Sequence, residues 1–153
     1  MGSGLDENRG LVKLAIGLKQ EPYSVETLWA EPISEGLYRL RNVPVIAYGY
    51  SEQDVVSAAE IEGRLMVTGV AQRGGHSTYR LFFAEPTDSE KFRPLWEPLE
   101  HLGCTYERAN SRLIGIDVPP HADVYAVYEL LEEGEQAKRW AFEEGHCGHQ
   151  LRG

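Results

Sequence analysis

The run Arg73-Gly74-Gly75-His76-Ser77-Thr78-Tyr79-Arg80 separates two stretches of chain whose apolar residues follow different rules. Before it, apolar residues come in short β-type bursts separated by Gly, Pro and Asn. After it, strand-like alternation exchanges with the i, i+3, i+4 spacing of amphipathic helices. A chain that changes period in this way requires an α+β fold in which a β-rich half meets a mixed half.

In the first half, residues 12–18 alternate around Leu14 and Ile16 and predict a strand that Glu21-Pro22-Tyr23 breaks. Residues 24–33 predict a second, with Val25, Thr27 and Trp29 on one face and Leu28 on the other. A turn at Glu35-Gly36 leads into residues 37–40, and Asn42-Val43-Pro44 interrupts them because proline offers no ladder donor. Residues 45–50 fit either a strand or a tightly packed loop. Asp54-Val55-Val56, a hairpin turn at Glu62-Gly63 and residues 65–70 make a further strand pair. Short strands at this spacing over residues 11–75 predict a small antiparallel β-barrel or a highly curved sheet.

In the second half, residues 78–84 predict a strand with Tyr79, Leu81 and Phe83 on one face and Phe82 on the other. Thr87 and Glu90 have capping-box spacing. Phe92, Leu95, Trp96, Leu99 and Leu102 then mark a helix closed by Gly103, with Pro94 and Pro98 predicting a kink or a late start at Pro94. Strands over 104–109 and 112–118 flank a turn at Asn110-Ser111. Asp123 opens a second helix burying Val124, Val127, Tyr128 and Leu131. Gly134 is expected to bend or stop it, and residues 135–142 to add a last helical turn carrying Trp140. The resulting β-α-β-β-α order over 76–145 is a ferredoxin-like split βαβ unit short of one strand. The first half could lend that strand and fuse the two modules into one unit. Residues 1–10 read as a flexible leader and 146–153 as a flexible tail.

The chain has 153 residues, with 24 Asp plus Glu against 15 Lys plus Arg, a formal charge of -9. That balance argues against a general nucleic-acid binder, which needs clustered cations to neutralise phosphates. It suits a basic protein partner instead. No apolar run reaches membrane-spanning length, so no membrane association is expected. Two cysteines, Cys104 and Cys147, make no disulfide framework and point to a reducing cytoplasm. Nothing in the sequence fixes an oligomeric state.

Several separated motifs occur together in order: Ser24-Val25-Glu26-Thr27-Leu28-Trp29-Ala30-Glu31-Pro32, Asn42-Val43-Pro44, Asp54-Val55-Val56, Gly75-His76-Ser77-Thr78-Tyr79-Arg80, Leu102-Gly103-Cys104, Asp117-Val118-Pro119-Pro120, and Leu131-Glu132-Glu133-Gly134-Glu135 leading to Trp140. With them, residues 12–147 resemble a family of small bacterial proteins known as a domain of unknown function. The resemblance implies a bacterial, cytoplasmic, stand-alone domain and carries over no activity, ligand or catalytic residue.

Four features carry candidate chemistry. Gly74-Gly75 could bring backbone N–H groups to an anion, with His76 as acid, base or ligand, Ser77 as donor and Arg73 adding charge. The competing reading is a tight turn into a strand. His146-Cys147-Gly148-His149 has metal-friendly residue types but no second Cys/His pair, so neither a metal nor another cofactor is expected. Glu132, Glu133, Glu135, Glu143 and Glu144 form an acidic strip that is either a solvated helix face or a docking surface for a basic partner. Tyr48-Gly49-Tyr50 suits a recognition loop or a packed one. Without a catalytic constellation, the sequence reads as a non-enzymatic acidic protein-binding domain, in its most concrete form a toxin-neutralising immunity protein. The alternative is a small-molecule sensor or enzyme with a site around His76 where the halves meet.

Overall fold

The computed structural model describes residues 10–19 and 24–152. Most of the expected leader, and the break at Glu21-Pro22-Tyr23, lie outside the described residues. Within them are two sheets and two helices, an α+β fold.

The first sheet holds β1 (Val12–Gly17), β2 (Val25–Ser34), β3 (Leu37–Leu40), β4 (Val55–Ile61) and β5 (Arg64–Gln72). Each strand pairs antiparallel with the next, and a parallel contact between β1 and β5 at Ala15↔Met66 closes the sheet into a ring. Leu14, Ile16, Leu28, Ala30, Leu40, Ala47 and Val56 fill it. The Glu62-Gly63 turn has positive φ at both residues, 52° and 79°, the geometry that joins tightly twisted strands. On β2 the inward set is Glu26, Leu28 and Ala30, so a carboxylate occupies a buried position in line with two core residues.

The second sheet holds β6 (Ser77–Phe82), β7 (Thr105–Asn110), β8 (Leu113–Val118) and β9 (Ala141–His146), in the order β7-β8-β6-β9 and antiparallel throughout. Two helices, α1 (Ser89–His101) and α2 (Val124–Gln136), supply the rest of its core. Tyr79, Leu81, Ile114 and Ile116 meet Phe92, Trp96, Leu99, Val127 and Leu131 there.

The structure corrects the sequence reading at five points. The cap of α1 is Asp88, whose carboxylate accepts from the Lys91 N–H, and the helix begins at Ser89 and is continuous past Pro94 and Pro98, so it does not start late. In α2, Tyr128 lies on the exposed face. Gly134 stays inside that helix as a buried residue, because the Trp140 indole lies across it: a Cβ there would come within 2.3 Å of the ring. Residues 141–146 form β9, and this strand completes the second sheet where a last helical turn and a strand lent by the first half were expected. The ring is closed by a parallel pair, so it is not antiparallel throughout.

Residues 41–54, which include the ambiguous stretch 45–50, form a loop along the other face of the second sheet. Cross-strand partners place Thr78, Arg80, Glu107, Gly115, Asp117 and Glu143 on that face. It is therefore polar, and the loop must satisfy it. Val43 and Val45 occupy the space a side chain at Gly115 would need, a Cβ there lying 2.2 Å from Val45. The loop's own N–H groups find carboxylates: Val45, Ile46 and Ala47 donate to Glu26 at 2.7, 3.1 and 2.8 Å, and Val43 to Glu107 at 3.1 Å. A buried loop survives only when its backbone is satisfied in this way.

Candidate functional site

The sequence-predicted residues fall into three separate places. The first is the entry to β6. The His76 Nδ1 lies 2.9 Å from both carboxylate oxygens of Asp117, so it carries the proton and donates, leaving Nε2 for other partners. Asp117 holds the imidazole above its ordinary titration range, against the opposing effect of burial. Glu52, in the loop, is half-buried near Asp117 and Glu107, and burial chiefly, then those two charges, push its carboxyl up to about 7. Arg73 donates to the buried Asp54 at 3.0 Å and to the Gly49 carbonyl at 2.7 Å, and Asp54 also accepts from the Gly74 and Ser51 N–H groups.

Ser77 sits one residue from His76 but belongs to a different network. Its Oγ is 2.6 Å from His149 Nδ1, and His149 Nε2 is 2.9 Å from the Pro119 carbonyl. A carbonyl only accepts, so Nε2 carries the proton and Nδ1 receives the seryl hydroxyl. A serine donating to an oriented imidazole is the geometry of an activated nucleophile. Here, however, Ser77 is 0% exposed and its Oγ also accepts the Gly148 and His149 N–H groups at 2.9 and 3.3 Å. The pair is a clasp between β6 and the segment after β9. Ser77 and Tyr50 therefore do not share a pocket with His76: the hollow beside His76 is lined by Arg39, Gln53, Val55, Gln72, Arg73 and Gly74.

The second place is the loop's contact with β6 and β9. Arg80 is 2% exposed; it donates to Glu143 at 3.0 Å and to the Ala47 carbonyl, and its guanidinium lies 4.4 Å from the Tyr48 ring centroid. The Tyr48 hydroxyl donates to the same Glu143 oxygen at 2.5 Å, and that bond keeps the phenol protonated above its usual range. Tyr50 packs against the core of the ring. Tyr48 and Glu143 are thus bound to each other and to Arg80.

The third is α2. Glu132, Glu133 and Glu135 are exposed, in line with Glu129, Tyr125 and Tyr128 on the solvent side. Glu144 is exposed on β9, whose alternation turns it to the face opposite Glu143. The acidic strip of the sequence is therefore divided between a helix surface and the two faces of a strand. Tyr128 is 44% exposed, its ring braced edge-on by Phe142 at 5.4 Å and Tyr79 at 6.4 Å. Tyr125 is 37% exposed, and the Arg152 guanidinium lies 3.9 Å from its ring centroid.

Sequence reasoning missed Glu52, Asp117, Arg39, Gln53 and Gln72 around His76, and placed Tyr128 in the core. Arg80 did leave a signal, a lone cation between Tyr79 and Leu81 in an apolar strand. Among the described residues no group of three or more His, Cys, Asp or Glu is arranged to hold a metal ion. His146 Nε2 is buried without a partner, and burial keeps its ring below the usual titration range. Burial likewise pushes the Cys104 thiol up to about 12. No described helix is long and apolar enough to cross a membrane.

Residues 26–142 match the model of the family described as a domain of unknown function, DUF4265, and the chain belongs to that family. Its fold is similar to that in a crystal structure of a hypothetical protein from Neisseria gonorrhoeae, with a TM-score of 0.78 at 15% identity over 92% of this chain and 97% of that one. No curated protein matches the chain.

Proposed function

We propose that this DUF4265 member is a non-enzymatic cytoplasmic binding protein that docks a basic protein partner on the outer face of α2, as an immunity protein neutralises a toxin. The observation that carries the reading is the pairing of Tyr125 and Tyr128 with Glu129, Glu132, Glu133 and Glu135 on one exposed helix surface. Half-exposed tyrosines anchor interfaces because they bury much area for little lost freedom. Surrounding carboxylates speed encounter with a positive surface and set its register. The chain's own Arg152 already rests on Tyr125, so this face accepts a guanidinium. The serine and histidines that would support catalysis are held in hydrogen bonds that explain them structurally. In this reading the second sheet and its helices are a ferredoxin-like scaffold, supported by the order β7-β8-β6-β9, and α2 is the helix it presents.

The test is binding of purified chain to basic proteins encoded by neighbouring genes, measured by calorimetry at low and high salt. Tyr128→Ala should weaken a genuine complex by about 30-fold, the range of an interface hot spot, and added salt should weaken it further. A complex indifferent to both Tyr128→Ala and salt would place the interface elsewhere.

A further inference from the structure

We infer that the groove beside His76 is a binding site for a small dianionic ligand, one that presents carboxylate or phosphate groups. It lies where β3, the start of β4 and the end of β5 meet the entry to β6, and encloses about 490 Å³. That volume suits a small metabolite.

The lining runs against the rest of the molecule. In a chain with 24 acidic and 15 basic residues, no Asp or Glu lines this groove. Its charged lining is Arg39, Arg73 and His76, and its polar lining is Gln53 and Gln72. The balancing carboxylates hold these cations without lining the groove. Asp54 is fully buried and takes Arg73 Nη1 at 3.0 Å, Asp117 takes His76 Nδ1 at 2.9 Å, and Glu31 touches Arg39 Nη1 at 3.4 Å.

Each cation is thus oriented by one nitrogen while others remain. Among the described residues, Arg73 and Arg39 make their bonds through Nη1 alone, and His76 through Nδ1 alone. Their remaining guanidinium nitrogens are donors with no acceptor among the described residues, and Nε2 of the imidazole joins them as a donor when His76 is protonated. Fixed donors around a space free of carboxylates select an oxyanion, because binding then costs little reorganisation. The site does not depend on the α2 face, and neither proposal stands or falls with the other.

Two probes distinguish the ligand chemistries: inorganic phosphate and malonate, each titrated at constant ionic strength and followed by amide resonances, with chloride as reference. We expect saturable shifts confined to residues 39, 53, 55 and 72–76, with half-saturation below about 10 mM. The tighter of the two probes identifies phosphate or carboxylate as the group recognised. Arg73→Gln also strips a partner from buried Asp54, so Arg39→Gln is the deciding variant: its side chain is only partly buried and pairs with Glu31 at the surface, and the change should weaken binding about tenfold. Shifts that rise linearly without saturating, match those of chloride, or are unchanged in Arg39→Gln would overturn the assignment.

Discussion

Replacing Glu52 by Gln should stabilise the protein, and only at high pH. The carboxyl is half-buried near Asp117 and Glu107, with His76 and Arg41 partly compensating, and it is pushed up to about 7 from an ordinary value of 4.5. Below 4.5 it is protonated whether the chain is folded or not, and its contribution to stability is fully present. Between 4.5 and 7 the unfolded chain ionises while the folded chain keeps its proton, so stability falls as pH rises, and above about 7 the whole contribution is lost. At about 1.4 kcal/mol per tenfold change, the ceiling is about 3 kcal/mol. Water reaches part of the side chain, and we expect ~1–2 kcal/mol after that screening. No hydrogen bond to the Glu52 side chain is present among the described residues, so the amide removes the charge without breaking one. Urea denaturation at about pH 4 and about pH 8.5 measures the difference directly. Glu52→Gln should match the parent at the lower pH and exceed it at the higher. Equal effects at both, or a destabilised variant at high pH, would mean that this carboxyl is solvated like any surface glutamate.

Two further substitutions probe the packing that positions the site. Gly134→Ala would set a methyl 2.3 Å from the Trp140 indole and displace its Nε1–H bond to the Leu131 carbonyl; a loss of about 2 kcal/mol is expected despite the better helix propensity of alanine, with red-shifted tryptophan emission. Ser77→Ala removes the acceptor of the Gly148 and His149 N–H groups and the donor to His149; it should cost about 2 kcal/mol and raise amide exchange at those two residues while leaving any binding to the α2 face unchanged.

Much of this fold was legible in the sequence because the signals were local. Alternation located β1 to β5, β6, β7 and β8 to within a few residues, and Asp123 was legible as the start of α2, where it caps the Tyr125 and Ala126 N–H groups. What was not legible depended on contacts distant along the chain. Ala141-Phe142-Glu143-Glu144-Gly145-His146 has too few apolar residues to announce a strand; its place is set by Phe142 on the core side, by Glu143 meeting Arg80 on the other, and by Gly145, where a Cβ would come within 2.8 Å of that guanidinium. Gly134 reads as a helix breaker until Trp140 is seen lying across it. At the site, His76 stood out as a lone imidazole after two glycines, but its partner Asp117 lies 41 residues away and Glu52 carries no local mark at all.

The loop of residues 41–54 also changes what the net charge means. Glu26 and Glu107 accept loop N–H groups, Asp54 and Asp117 hold Arg73 and His76, and Glu143 holds Arg80. These five carboxylates substitute for water along a polar sheet face that neither described helix covers, and most of their field is spent on groups in contact with them. They count toward the formal charge of -9 but are poorly placed to attract a partner. The glutamates on α2 are different: Glu129, Glu132, Glu133 and Glu135 are exposed beside two half-exposed tyrosines. Overall acidity alone would favour any part of the surface for a basic partner. With those five carboxylates set aside, α2 still combines four exposed glutamates with two half-exposed tyrosines, and that combination motivates the proposed docking face.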